Sequence, residues 1–502
     1  MDRGRVGERK PSGPRIDGQR LLQEAEGPVG EDDVRTEVES LMGGHVERHR
    51  PGAVQSSDGS QGRDRPAEDE GHDAGEQRSG LPGQCRDCCG PARGPLATLI
   101  AHRDRLGGGA RRRRRHALGT LATPLTLPPS ATSARRARFD GAMTSFPAAE
   151  RRILVTGGAG FVGANLAIAL HERHPAWEVV ALDNLKRRGS ELNLPRLRAA
   201  GVLFEHGDVR NLGDLLALPA IDALVECSAE PSVLAGVDGA TEYAFGSNLL
   251  GAWHCLELAR RDRAHLVFLS TSRVYPVRVL EELAIEETVE RFELSEHQLV
   301  PGASADGISE DLPLDGARTL YGTTKLAAEL LIEEYRATFG LRAVVNRCGV
   351  IAGPWQMGKV DQGVFTYWML AHRLGRPLQY IGFDGSGRQV RDLLHIDDLI
   401  DLLDDQIARP EHWDGVVSNV GGGRACSLSL RETTALCREL TGRDIPVGAA
   451  GHDRPGDIPV YISNCARLFG HTAWRPRRSA RDILRDIADW TAEHEAQIVS
   501  AL

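Results

Sequence analysis

The chain has 502 residues, with 61 Lys and Arg against 70 Asp and Glu, a net charge of −9. That acidity argues against a nucleic-acid partner. No apolar run reaches the roughly 18–20 residues of a membrane span, and the length exceeds what one typical domain needs.

Residues up to about 142 are rich in Arg, Gly, Pro, Ser, Asp and Glu and poor in aromatics. No hydrophobic period of 2 or 3.6 persists there, so residues 1–148 read as a disordered extension or as translated sequence upstream of the true start. Met143 stands a few residues before the first strand and would make a natural initiator. The alternative is a targeting or nucleic-acid-binding arm built on Arg111–Arg115, but that run lies far from Met1, and Pro124, Pro128 and Pro129 interrupt the apolar stretch behind it. Cys85, Cys88 and Cys89 lack a second ligand pair at zinc-site spacing, so no metal is expected. Cys227, Cys255, Cys348, Cys426, Cys437 and Cys465 are scattered and read as small core residues in a reducing compartment.

From residue 149 the pattern becomes periodic. Ile153-Leu154-Val155 runs into Thr156-Gly-Gly-Ala-Gly-Phe-Val-Gly163, which opens a helical segment, and Asp183 follows a second apolar run about twenty residues on. This is the layout of a dinucleotide-binding βαβ unit. Gly157 lets the chain turn off the strand, Gly160 lets backbone approach a pyrophosphate, and Gly163 lets the helix pack close. The helix start at Phe161 and Val162 offers unpaired N–H groups and a positive dipole end to phosphates. Asp183 would accept from ribose hydroxyls and favour NAD; Lys186, Arg187 and Arg188 beside it leave room for a 2′-phosphate.

Strand patterns at 152–156, 178–182, 202–205, 223–227, 266–270 and 342–348 alternate with helical ones near 161–173, 190–200, 211–217, 241–262 and 320–339. That alternation predicts an α/β fold, a doubly wound parallel (Rossmann) sheet over 149–350. Residues 351–502 are expected to build a smaller α/β substrate domain, interleaved with the first, over the carboxyl ends of the strands.

Two segments carry chemistry. Tyr321-Gly-Thr-Thr-Lys325 opens a long amphipathic helix and puts Tyr321 and Lys325 on one face. The ammonium is expected to lower the phenol pKa from about 10, so that Tyr321 serves as general base. Leu269-Ser-Thr-Ser-Arg-Val-Tyr275 empties an apolar strand into hydroxyls at the edge where ligands bind, so Thr271 would hold the reacting oxygen.

These motifs, with Asp183-Asn184-Leu185 and Gln389-Val-Arg-Asp-Leu-Leu-His395, resemble the extended short-chain dehydrogenases/reductases, the NAD-dependent sugar-nucleotide epimerases and dehydratases. The resemblance covers about residues 150–495. It implies catalytic roles for Thr271, Tyr321 and Lys325, and NAD contacts at Gly157, Gly160, Phe161, Val162, Gly163, Asp183 and Asn184. It also places Asp208 and Val209 near adenine, Asn248 in the family's fourth-helix position, and Gln356 and Arg391 at the nucleotide-sugar substrate. Arg391 would bind the diphosphate, the bland alternative being an ion pair with Asp392. A cytoplasmic homodimer or tetramer is expected.

Three stretches, 183–193, 226–234 and 345–363, resemble the branch that inverts C2 of a CDP-linked deoxysugar. A 4-epimerase remains open, and so does a non-catalytic NAD-binding protein. A 4,6-dehydratase would need an acid and a base just after the Thr, where this chain has Ser272-Arg273. The family's Arg-x-x-Asn-Val-Tyr-Gly-Pro motif stands here with Val350 for Asn and Ala352 for Tyr. A long span between Tyr275 and Tyr321, carrying Arg278, Arg291, Phe292, His297 and Gly302, either shapes the sugar or base pocket or is a surface insertion.

Overall fold

The computed structural model describes residues 149–501 except 238, 360, 361 and 453. The expectations for the extension, including Met143 and the Cys85, Cys88, Cys89 cluster, lie outside the described residues.

The first βαβ unit is β1 (Arg151–Thr156), α1 (Phe161–Arg173) and β2 (Trp177–Asp183). Next come α2 (Leu194–Ala200), β3 (Leu203–His206), α3 (Leu212–Leu216) and β4 (Ala223–Glu226). A short α-turn, Glu242–Phe245, and a π-turn, Gly246–Leu250, lead into α4 (Gly251–Asp262). Then follow β5 (His265–Thr271), α5 (Leu320–Phe339) and β6 (Ala343–Cys348). The last third supplies β7 (Val350–Ala352), α6 (Val364–Leu374), β8 (Val390–His395), α7 (Ile396–Ala408), β9 (Val417–Val420), β10 (Ser427–Ser429), α8 (Leu430–Thr441), β11 (Val460–Tyr461) and α9 (Ala480–Glu493).

Seven parallel strands form the main sheet in the order β9-β6-β5-β4-β1-β2-β3. The order reverses beside β1, and ligands bind at the carboxyl ends of strands at such a point. Along β1 the side chains alternate between two cores. Ile153 and Val155 pack with Ala167 and Leu170 on one face, and Leu154 with Leu256 and Ala328 on the other.

Residues beyond 350 return to this layer. β9 extends the sheet next to β6, and α7 packs with α1 through Leu399 and Leu403. β9 was not foreseen. It spans only four residues, and its Ser and Asn give a weak strand pattern. A second sheet joins β7, β8 and β10, with β11 also on β8, beside a core containing Trp368, Leu484 and Ile487.

The span from Tyr275 to Tyr321 folds as two small hairpins, Ile285–Glu287 with Phe292–Leu294 and Ala303–Ser304 with Gly307–Ile308. Its apolar residues, Phe292 and Ile308 among them, join Val390, Val460 and Tyr461 in a core of their own. Among the described residues, no helix is long and apolar enough to cross a membrane.

Candidate active site

A crevice of about 430 Å³ opens at the carboxyl ends of β1, β4, β5 and β6. Its floor is the glycine turn. Gly157 has φ +63°, and a Cβ there would lie 2.8 Å from the Cys227 carbonyl of the neighbouring strand end. A Cβ on Gly163 would collide with the Gly157 carbonyl, so this glycine fits α1 against its own turn. Gly158, which sequence reasoning passed over, is the residue that meets the sheet: its Cβ would lie 2.6 Å from Ala181 of β2. Gly160 caps α1 without a side-chain hydrogen bond, and it lines the crevice with Phe161, Val162 and Gly163. The turn therefore keeps a cradle for phosphate beside a helix N-terminus.

Asp183 stands at the end of β2 facing this crevice. Its carboxylate accepts from the N–H groups of Ala159 at 3.1 Å and Leu185 at 2.7 Å. Burial raises its pKa above the ordinary value, and those two hydrogen bonds oppose the rise. Asn184, also on the crevice, donates to Asp208 at 3.0 Å. Arg187 and Arg188 line the crevice too, whereas Lys186 lies 5.8 Å from the centre of the Tyr243 ring.

Two predicted cofactor residues are not in the lining. Val209 reaches the crevice, but Asp208 does not: its carboxylate pairs with Arg210 at 2.7 Å. Burial pushes the Asp208 pKa up, yet the hydrogen bonds from Arg210 and Asn184 win and hold it near 2. Asn248 is buried in the π-turn, accepting from Glu230 N–H at 2.7 Å and donating to Thr324 at 3.2 Å. It ties the loop after β4 to α5.

Thr271, Tyr321 and Lys325 come together on the opposite wall. α5 is capped by Thr319, whose side chain accepts from Gly322 N–H. Gly322 has no room for a Cβ, which would collide with the Arg273 carbonyl, so the start of α5 is pressed onto the loop after β5. That contact sets the Tyr321 hydroxyl beside the Thr271 side chain on the crevice wall. Farther along, Glu329 of α5 binds Arg347 of β6 at 2.8 Å, and both are buried. Glu329 also accepts from Ser270. Sequence reasoning missed this lock between α5 and the sheet, because the three residues are distant in the chain.

Lys325 pulls the Tyr321 pKa down as expected, but the net shift needs correction. The phenol pKa is raised, not lowered, because burial outweighs the pull of the ammonium. The lysine is itself occupied: Nζ sits 3.0 Å from Glu226 Oε2, with the two side chains 2% and 1% exposed. Glu226, the last residue of β4, was quoted in a motif but given no role. Its other oxygen, Oε1, has no hydrogen-bond partner.

The end of the crevice expected to take substrate carries Arg391 and Arg273. Arg391 lines the crevice and pairs with Asp457 at 2.8 Å, not with its neighbour Asp392. Arg273 donates to the Gly456 carbonyl at 3.1 Å. Burial and the neighbouring Arg391 charge lower its pKa to about 10. Gln356 lines the crevice, while its amide already accepts from Thr366 at 2.9 Å and donates to Ile351 O at 3.0 Å. Val350 is on the wall and Ala352 is buried. Arg278, Arg291, Phe292, His297 and Gly302 are absent from the lining: Arg291, for example, pairs with Glu293 at 2.9 Å and Glu432 at 3.3 Å. The long span is a packing layer, not a wall of the pocket.

A profile of the NAD dependent epimerase/dehydratase family matches residues 153–421. The chain belongs to this family. It is 29% identical over 358 residues to the CDP-paratose 2-epimerase of Salmonella typhi, an alignment covering 68% of this chain and 99% of that protein. It is also 29% identical over 353 residues to a dTDP-glucose 4,6-dehydratase of Streptomyces antibioticus, covering 68% of this chain and 93% of that one. The crystal structure of Thermus thermophilus UDP-glucose 4-epimerase with NAD superposes with a TM-score of 0.54 at 26% identity, covering 68% of this chain and 99% of that one. NAD is the family's cofactor, and the cradle from Gly157 to Gly163 with Asp183 above it fits that group. Among the described residues, no group of three His, Cys, Asp or Glu is placed to hold a metal ion.

Proposed function

We propose that this enzyme inverts C2 of CDP-paratose to give CDP-tyvelose, by transient oxidation to a 2-keto sugar and re-reduction. The observation that carries the reading is the composition of the reacting wall. Thr271, Tyr321 and Lys325 supply a base and its support, and the residue after Ser272 is Arg273, not a carboxylate. Elimination of water would need an additional acid and base beside the sugar, so this wall favours epimerisation over dehydration. The 29% identity to a CDP-paratose 2-epimerase along 99% of that protein supports C2 as the carbon.

Tyr321, as tyrosinate, takes the proton of the sugar hydroxyl that Thr271 holds by a hydrogen bond. Gly157, Gly160, Gly163 and Asp183 would hold NAD, which would supply reversible hydride transfer at C2. The sugar must turn over between loss and return of the hydride while its diphosphate stays fixed. Arg391, with its forked donors, would hold the diphosphate, and Arg273 would add a second positive charge nearby; both line the crevice. Tyr321 then returns its proton to the new hydroxyl. The crevice has to keep the ketone from leaving.

A homodimer belongs to the same reading. Leu250 and Trp253 around α4 and Leu330 and Phe339 on α5 are exposed apolar residues, and they support pairing of these helices. A reducing, cytoplasmic setting is supported by six unpaired cysteines among the described residues.

Incubation with CDP-paratose, with the product followed by NMR, tests the substrate and the carbon together. Appearance of CDP-tyvelose is the expected result. Inversion of UDP-glucose at C4 with CDP-paratose untouched moves the assignment to a 4-epimerase. Retained NAD with no turnover of any sugar nucleotide favours a non-catalytic NAD-binding role.

A further inference from the structure

We infer that Glu226 is a positioning residue for the proton transfer: from beneath Lys325 it sets how much of that lysine's charge reaches the Tyr321 phenol. The inference rests on Tyr321 being the base of the proposed reaction.

The placement comes from the sheet. Glu226 closes β4 in register with Thr156 of β1 and Phe268 of β5, so it stands directly under the ends of the strands that carry the crevice. Lys325 lines the crevice and Glu226 does not. The acid therefore touches neither cofactor nor substrate space and acts through the lysine. Lys325 Nζ lies 3.0 Å from Glu226 Oε2 and 4.3 Å from the centre of the Phe268 ring. Oε1 has no hydrogen-bond partner, so the buried carboxylate is compensated chiefly by the ammonium, with a smaller contribution from the Ser228 N–H.

The consequence for Tyr321 is electrostatic. Thr271 and Arg273 face the phenol from the end of β5, Cys348 from β6, Glu226 from β4, and Lys325 from its own helix. Cys227 also bears on Lys325. Burial pushes both thiols up, Cys348 to about 12, so they stay neutral at ordinary pH. The charges that act on the phenol are thus Lys325, Arg273 and Glu226. A lysine alone favours tyrosinate. A lysine paired at 3.0 Å acts on the phenol together with its carboxylate: the ammonium is the stronger of the two there, and Glu226 opposes it. Glu226 keeps Tyr321 protonated to higher pH than Lys325 by itself would.

The test is Glu226→Gln in the full chain with its dinucleotide bound. Tyr321 ionisation is read from phenolate absorbance across a pH titration, as the difference between each enzyme and its Tyr321→Phe derivative. The acid limb of kcat/KM is measured beside it. Removing the carboxylate should move the Tyr321 midpoint, and the acid limb with it, down by about half a pH unit, a roughly threefold change in the tyrosinate ratio below the midpoint. An unchanged or raised midpoint overturns the inference. The absorbance titration needs no substrate, so it still decides the point if CDP-paratose is not turned over. If Glu226→Gln does not fold, Glu226→Asp replaces it, since it keeps the charge but withdraws it by one methylene. A smaller downward shift is then expected, and no shift counts against the idea.

Discussion

The Lys325–Glu226 pair makes a quantitative prediction about stability, apart from any role in turnover. Replacing Lys325 by Met keeps much of the side chain's length and apolar stem but removes the ammonium. Glu226 is then left 1% exposed, with Oε1 already unpartnered and Oε2 deprived of the ammonium, so that the Ser228 N–H alone bears on it. Breaking a buried pair from one side costs about 3–5 kcal/mol, because a charge is left uncompensated. The loss should depend on pH. With no cation beside it, the folded-state pKa of Glu226 rises further above its unfolded value of about 4.3. The penalty is complete above the folded pKa and fades as pH falls toward the unfolded one. Adding Glu226→Gln removes the stranded charge, so the double variant should recover much of the loss and retain only the cost of an incompletely bonded amide, about 1–3 kcal/mol. Urea unfolding at pH 8 and at pH 5 measures all of this. It is best done after removal of dinucleotide, since ligand binding adds its own stabilisation. Lys325→Met as stable as the parent at pH 8, or a double variant no better than the single one, would refute the reasoning.

Other outcomes follow from the same geometry. Tyr321→Phe keeps the ring and removes the ionisable group, so turnover should fall by about 10²–10⁴-fold with dinucleotide retained; near-normal turnover would assign the proton to another group. Because burial raises the Tyr321 pKa, and only tyrosinate can accept the proton, kcat/KM should climb with pH through neutrality; a flat profile from pH 6 to 9 would contradict that. Asp183, held by the Ala159 and Leu185 N–H groups at the crevice, should exclude a 2′-phosphate, so the dinucleotide released on denaturation should be NAD; predominant NADP would show that Arg187 and Arg188 accept the phosphate. Deuterium at C2 of the substrate should remain at C2 of the product in ordinary water, whereas exchange with solvent would exclude hydride transfer.

The parts of the fold that could be read in advance are those whose signal is local. The helix after the glycine turn and the helix opening at Leu320 have the expected bounds, 161–173 and 320–339, since each begins at a marked break in the chain and carries an uninterrupted apolar stripe. The fourth strand likewise ends within one residue of expectation. β9 was hidden for the opposite reason. Its Val417-Ser-Asn-Val420 pattern is too short and too polar to declare itself, and its place is decided by pairing with β6, more than sixty positions away in the sequence. The span after Tyr275 was left open between two readings. Arginine and aromatic residues near a catalytic motif suggested a pocket wall, yet Phe292 is drawn into a core with Val460 and Tyr461, and Arg291 is held by Glu293 and Glu432.

At the site, the spacing from Tyr321 to Lys325 showed that both face one way, because helical periodicity depends only on sequence separation. The ionisation of that pair could not be read by the same rule. The sign of the shift at Tyr321 depends on how deeply α5 is pressed onto the loop after β5, which Gly322 permits by its lack of a Cβ. It depends also on what lies on the other side of the ammonium, and that residue, Glu226, is ninety-nine positions earlier in the chain. In the sequence Glu226 is one acidic residue at the end of an apolar strand, a place where a polar residue usually means only that the strand has reached the surface. Here the strand end is roofed by Lys325 and Phe268, so the same carboxylate is buried and its charge is felt at the base. Motif spacing thus put Tyr321 and Lys325 on one helix face, while the third dimension sets the burial and the neighbouring charges that govern how the phenol ionises.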